Sequence, residues 1–220
     1  MRLPGNSHIF RGAVLAGALA LLPAGSLFAG SMIYLVTVNT GAISGASGFL
    51  DFTFAPGYDS QSAFASIGSF FSDGSLSGSP QVNGSVSGAL PGAVTIDNSA
   101  AFNDYFQGFD FGATIQFRLS LGGPAVTSPN GTSASGSTFG FGIFDPTGMI
   151  PLLTTDPNGF AFIVDVNLDG SATTTVFPAD AQGTPPVAAL DSITPEPSSF
   201  AFLALGLAVM LARGRTAIKR

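Results

Sequence analysis

In the middle of the chain, apolar residues recur as alternating positions or short runs, each closed by a cluster of turn-forming residues. Across Phe49-Leu50-Asp51-Phe52-Thr53-Phe54, the residues Leu50, Phe52 and Phe54 share one strand face while Asp51 and Thr53 take the other, because strand side chains alternate. Residues 114–121 repeat the pattern, with Ile115, Phe117 and Leu119 set against Gln116, Arg118 and Ser120. Residues 33–38, 63–71, 138–144, 160–166 and 172–177 predict further strands, with weaker ones at 82–86 and 94–96. Residues 99–106 are the one interior stretch that fits a short helix. Many short strands between frequent turns predict an all-β fold, a single antiparallel β-sandwich of jelly-roll-like form over residues 30–178.

The turns are chemically explicit. Asp145-Pro146-Thr147-Gly148 and Asp156-Pro157-Asn158-Gly159 place Asp first, Pro second and Gly fourth, as type I turns prefer. Asp169-Gly170 between two apolar runs predicts a hairpin. Gly122-Gly123-Pro124 and the Ser/Gly/Thr stretch 128–137 predict loops, and 179–194, with Pro185-Pro186, predicts a linker.

The two ends follow different rules. Arg2 and Arg11 precede an unbroken run of Gly, Ala, Val and Leu over 12–22, after which Pro23 and Gly25 break the helix and small residues follow. This is the order of a secretory signal peptide over 1–29, with cleavage expected between Ser26 and Ser31, at Ala29 by preference. Handling by the Sec translocon and signal peptidase follows. At the other end stand Pro195-Glu196-Pro197, a charge-free run over 200–212, and the bases Arg213, Arg215, Lys219 and Arg220. As a helix that run rises about 20 Å, short of a hydrocarbon core of roughly 30 Å, and the bases can snorkel to make up part of the difference. They also hold their end in the cytoplasm, so the middle of the chain lies outside the inner membrane.

Motif, transmembrane helix, basic tail and signal peptide together resemble the PEP-CTERM sorting signal of Gram-negative bacteria. That resemblance implies recognition by exosortase, a membrane-embedded cysteine-protease-like enzyme. It also implies removal of the tail over 195–220 after transient anchoring, and delivery to the cell surface or an exopolysaccharide-rich biofilm matrix. The basic cluster is looser than the family's, with Gly214 and Thr216-Ala217-Ile218 interspersed. The segments Asn103-Asp104-Tyr105-Phe106-Gln107-Gly108-Phe109-Asp110-Phe111-Gly112, Pro151-Leu152-Leu153-Thr154-Thr155-Asp156-Pro157-Asn158-Gly159 and Asn167-Leu168-Asp169-Gly170 resemble a narrower family of small PEP-CTERM proteins. That second resemblance brings no mechanism with it.

Composition narrows the chemistry. Charged residues make up 9% of the chain, but 45% hydrophobic residues and 21 Phe are foreign to disordered sequences. Between Ser31 and Ile193 one base, Arg118, stands against twelve Asp, a formal charge of −11 that repels phosphate backbones and argues against nucleic acid as a partner. Cys is absent and His8 leaves with the signal peptide, so Ser-His-Asp, Cys-His and imidazole metal sites are excluded from the mature chain. Paired carboxylates remain, as glycosidases require. Asp59, Asp73, Asp97, Asp145, Asp156, Asp169 and Asp180 sit in turn contexts, and Asp51, Asp104, Asp110 and Asp165, in or beside strands, are the catalytic candidates.

Asp165, Asn167 and Asp169, ahead of Gly170, reproduce the start of a calcium loop of EF-hand type, but the twelfth position is Val176 and the flanks read as strands. A hairpin is therefore expected, with loop-bound calcium as the alternative. No other cofactor is implied. The expectation is a non-enzymatic surface or matrix protein in contact with exopolysaccharide. The alternative is a carbohydrate-binding module, calcium-assisted or not, with Tyr105 and Asp110 among its contacts and Tyr34 and Tyr58 as the remaining tyrosines.

Overall fold

The computed structural model describes residues 31–131 and 136–193. The signal peptide expected over 1–29, and the sorting motif, helix and basic tail expected over 195–220, lie outside the described residues. Among the described residues, twelve strands form two six-stranded antiparallel sheets. They are β1 (Met32–Asn39), β2 (Ser47–Ala55), β3 (Phe64–Ser72), β4 (Ser75–Asn83), β5 (Val86–Gly88), β6 (Val94–Asp97), β7 (Asp104–Asp110), β8 (Thr114–Gly122), β9 (Ser137–Phe144), β10 (Phe160–Val166), β11 (Ala172–Val176) and β12 (Ala188–Ser192). The first sheet runs β12-β1-β8-β3-β6-β5 and the second β11-β10-β9-β2-β7-β4.

Alternation builds the core as the sequence predicts. Val36 and Val38 of β1, Leu50, Phe52 and Phe54 of β2, and Ile115, Phe117 and Leu119 of β8 are all buried. Phe52 sits where the sheets meet, its ring centroid 5.5 Å from Phe117 of the opposite sheet, 5.1 Å from Phe141 of β9 and 6.3 Å from Tyr105 of β7. Edge and tilted ring contacts of this kind add to the burial of the rings themselves. Among the described residues no helix is long and apolar enough to cross a membrane.

Three expectations are corrected. The helix predicted over 99–106 is a bend followed by β7, because the buried Asn103 side chain ties the segment to its neighbours. Its amide donates to the carbonyls of Phe54 and Ala100, and its Oδ1 accepts from Ser85 N–H. The weak strand predicted over 82–86 is split in two: Val82 and Asn83 end β4 and Val86 opens β5, with Gly84 at φ 71 in the crossing between the sheets. The linker predicted over 179–194 contains β12, which pairs with β1 from Tyr34↔Ser192 to Val38↔Ala188. Ala188 is buried and Leu190 packs on the core, so this short run closes the β1 edge and carries the folded unit to Ser192.

Candidate functional site

Asp145, Asp156, Asp169 and Asp180 bond within their own turns, as their contexts predict, whereas Asp73 and Asp97 also reach across to other segments. Asp73 accepts from the N–H groups of Ala113 (3.0 Å) and Thr114 (2.9 Å), which pull its carboxyl below the ordinary range. Hydroxyl donors do the same elsewhere: Thr147 to Asp145, Ser171 to Asp169, Thr184 to Asp180, and Ser85 together with Ser99 to Asp97. Asp156 accepts from Phe160 N–H at 3.0 Å.

The calcium-like motif folds as a hairpin. Asn167 N–H donates to Ser171 O at 2.8 Å, and the Asn167 amide donates to the Ser171 and Thr173 hydroxyls. Asp169 accepts from the Ser171 N–H and hydroxyl, while Asp165, on β10, accepts from the Thr138 hydroxyl of β9. The two carboxylates thus serve different parts of the sheet.

Of the four strand-borne carboxylates, the fold brings Asp51 and Asp104 together and leaves Asp110 and Asp165 apart. All four lie on the outer face of the second sheet. Thr53 of β2 faces Asp104 of β7 and Asp51 faces Phe106, which makes the two carboxylates diagonal neighbours. Asp104 is buried and accepts from the Asn83 amide at 2.7 Å. Asp51 is partly buried, and among the described residues its Oδ1 is buried without a hydrogen-bond partner. Burial, and then the nearby Asp104 carboxylate, push the Asp51 carboxyl from 3.8 to about 7.

Phenylalanines enclose Asp51. Phe106, directly across from it, stacks on Phe49 at 4.5 Å and meets Phe144 at 5.9 Å. On the β9 side Asp51 faces Gly142, and the Phe144 ring lies over that glycine, 2.9 Å from where a Cβ would stand. The Phe160 ring covers Gly140 in the same way, at 2.5 Å. The glycines make room for the rings, and beside them the Asp51 Oδ1 is out of contact with solvent. Asp110, at the far end of β7, is exposed and accepts from the Ser47 hydroxyl at 2.6 Å.

The tyrosine expectation is corrected. Tyr105 is fully buried, accepting from Leu90 N–H and donating to Gln107 Oε1, so it belongs to the core and meets no ligand. Tyr58 is exposed on a loop and Tyr34 is half-buried on β1. The aromatics of this outer face that sequence reasoning missed are the half-buried Phe49, Phe106, Phe144 and Phe160. Their signal was their place on the polar side of alternating strands.

Beside Phe49 a groove of about 250 Å³ opens between β2, β7, β4 and the Asp145-Pro146 turn, lined by Ser47, Phe49, Ser77, Gly78, Ser79 and Pro146 among others. No family model, curated protein or solved structure matches the chain.

Proposed function

We propose that the chain is an exported protein of a Gram-negative bacterium, processed by exosortase and displayed on the cell surface or in the extracellular matrix, where it has no catalytic role. The observation that carries this reading is the bipartite address: a basic-apolar-small N-terminus and a Pro195-Glu196-Pro197, apolar run and basic end at the C-terminus. The body between them suits display, since one base against twelve Asp gives a hydrated, strongly acidic exterior. The strand orders β1-β8-β3-β6 and β2-β7-β4 support the jelly-roll form, extended by β12 on one sheet and by β9, β10 and β11 on the other. The phenyl rings around Asp51 favour a structural carboxylate over an acid–base catalyst, which must reach its substrate's protons.

The test is to replace Pro195-Glu196-Pro197 by three alanines in the native host. The expected result is a larger, membrane-retained species in place of the surface form. Unchanged size and location would overturn the proposal.

A further inference from the structure

Both ends of the folded unit leave from one place. Ile193 N–H donates to Ile33 O at 2.8 Å, and Tyr34 pairs with Ser192, so the segments leading to the two termini lie side by side. The strands fix what lies at the opposite end. β1 runs away from its start at Met32 to Asn39, and β2 begins there at Ser47. Antiparallel pairing brings Asp110 of β7, Phe144 of β9 and the Ser72 end of β3 to the same end. Three cavities gather toward this remote end: the groove beside Phe49, one lined by Phe70, Gly74 and Pro91, and one lined by Asn39, Leu153 and Pro186.

The groove beside Phe49 has a built floor and wall. At Gly108 a Cβ would stand 2.5 Å from Ser77 O, so glycine alone lets β4 approach. β4 is then bulged, its register shifting between Ser77 and Gln81 with Gly78 at φ 63, which leaves Gly78 and Ser79 exposed along the groove. The buried Gln107 amide holds that bulge by donating to the carbonyls of Ser77 (2.9 Å) and Gly78 (3.4 Å). The bulge on this edge strand is thus fixed by a buried side chain and keeps the groove beside it open.

We infer that this groove, at the end remote from both tethers, binds a segment of an uncharged polysaccharide. The half-buried Phe49 ring, braced by its stack on Phe106, offers an apolar face to the C–H side of a sugar ring. Around it, Ser47, Ser77 and Ser79 line the groove, and the exposed Asp110 carboxylate bonded to Ser47 accepts hydroxyl donors. Charge decides between glycan classes. The outer face of this sheet carries Asp51, Asp104, Asp110 and Asp165, while Arg118 projects from the other sheet, so uronate, sulfate and phosphate groups are repelled. A peptide adding to the β4 edge would meet Pro80 and the bulge. At about 250 Å³ the groove is smaller than the roughly 300–1,000 Å³ of enclosing pockets, which suits weak, repeated contacts along a polymer.

This deepens the proposed function, resting on it only for the source of the polysaccharide. The test is affinity electrophoresis of the chain purified from its host. Gels contain dextran, galactomannan, arabinogalactan or alginate, or the host's own extracellular polysaccharide freed of acidic chains by anion exchange. The expected result is retardation in at least one neutral gel and none in alginate. Phe49→Ala should weaken it about fivefold, the scale of one aromatic contact. Ser79→Leu, at an exposed position, should abolish it without touching the core, and Tyr58→Ala should leave it intact. No retardation in any neutral gel, equal retardation in alginate, or retardation indifferent to both groove variants would overturn the inference. A correctly processed protein that fails here sinks the groove alone, and groove binding by a chain with both ends intact sinks the export reading alone.

Discussion

Replacing Asp51 by Asn removes a charge from a position where the fold resists one. In the unfolded chain this carboxyl ionises at its ordinary 3.8; in the folded chain burial beneath the phenyl rings and the Asp104 charge raise it to about 7. The folded state therefore holds more protons than the unfolded one between these values, and stability falls as pH rises through that window. Above pH 7 the whole penalty is present. A difference of roughly three pK units corresponds to about 4 kcal/mol. The isosteric Asp51→Asn carries no ionisation cost, so it should be about 4 kcal/mol more stable than wild type at pH 8 and equal to it at pH 3.5. For a domain of this size that is a rise in Tm of about 10 °C at pH 8. Thermal unfolding by circular dichroism at the two pH values measures both numbers. A variant that is less stable at pH 8, or one whose difference from wild type is the same at both pH values, would refute the reasoning. Either result would mean that the fold does not penalise the ionised Asp51.

The turn aspartates predict the opposite limb. Asp73, Asp97, Asp145, Asp169 and Asp180 are all held below the ordinary carboxylate range, so their contribution is present above about pH 4 and is lost as pH falls through their folded values. With Asp51 acting from the other side, Tm plotted against pH should peak between about 4 and 6, and a monotonic rise to pH 8 would count against it. Gly140→Ala would set a Cβ 2.5 Å from Phe160 Cε1 and 2.8 Å from Thr53 Oγ1, and urea unfolding should show a loss of about 1–3 kcal/mol. A chain ended at Ala179 loses β12 and leaves the outer edge of β1 unpaired, so light scattering should show association that a chain ended at Ile193 does not. Equal behaviour of the two would return residues 179–194 to the status of a linker.

What the sequence made legible was local. Leu50, Phe52 and Phe54 announce β2 because every second residue meets the core, and Asp145 and Asp156 announce their turns because their partners lie within five residues. β4 escaped because Ser75–Asn83 is a bulged edge strand with no alternation of its own, held by its pairing to β7. Asn103 hid the start of β7, since its hydrogen bond to Phe54 O spans 49 residues. The meeting of Asp51 with Asp104, and the rings around Asp51, depend on the registers of β2 with β7 and β9, which no local pattern sets. Tyr105 was misplaced for a related reason: being aromatic among polar neighbours, it reads as surface until the register turns it inward.

The claim that the chain is exported and trimmed at both ends is tested most directly by the intact mass of the protein extracted from the native cell surface. The account predicts an N-terminus between Ser26 and Ser31, a C-terminus near Pro195-Glu196-Pro197, and any attached sugar as a further mass increment. A species beginning at Met1 and ending at Arg220, recovered from the cytosol, would contradict it.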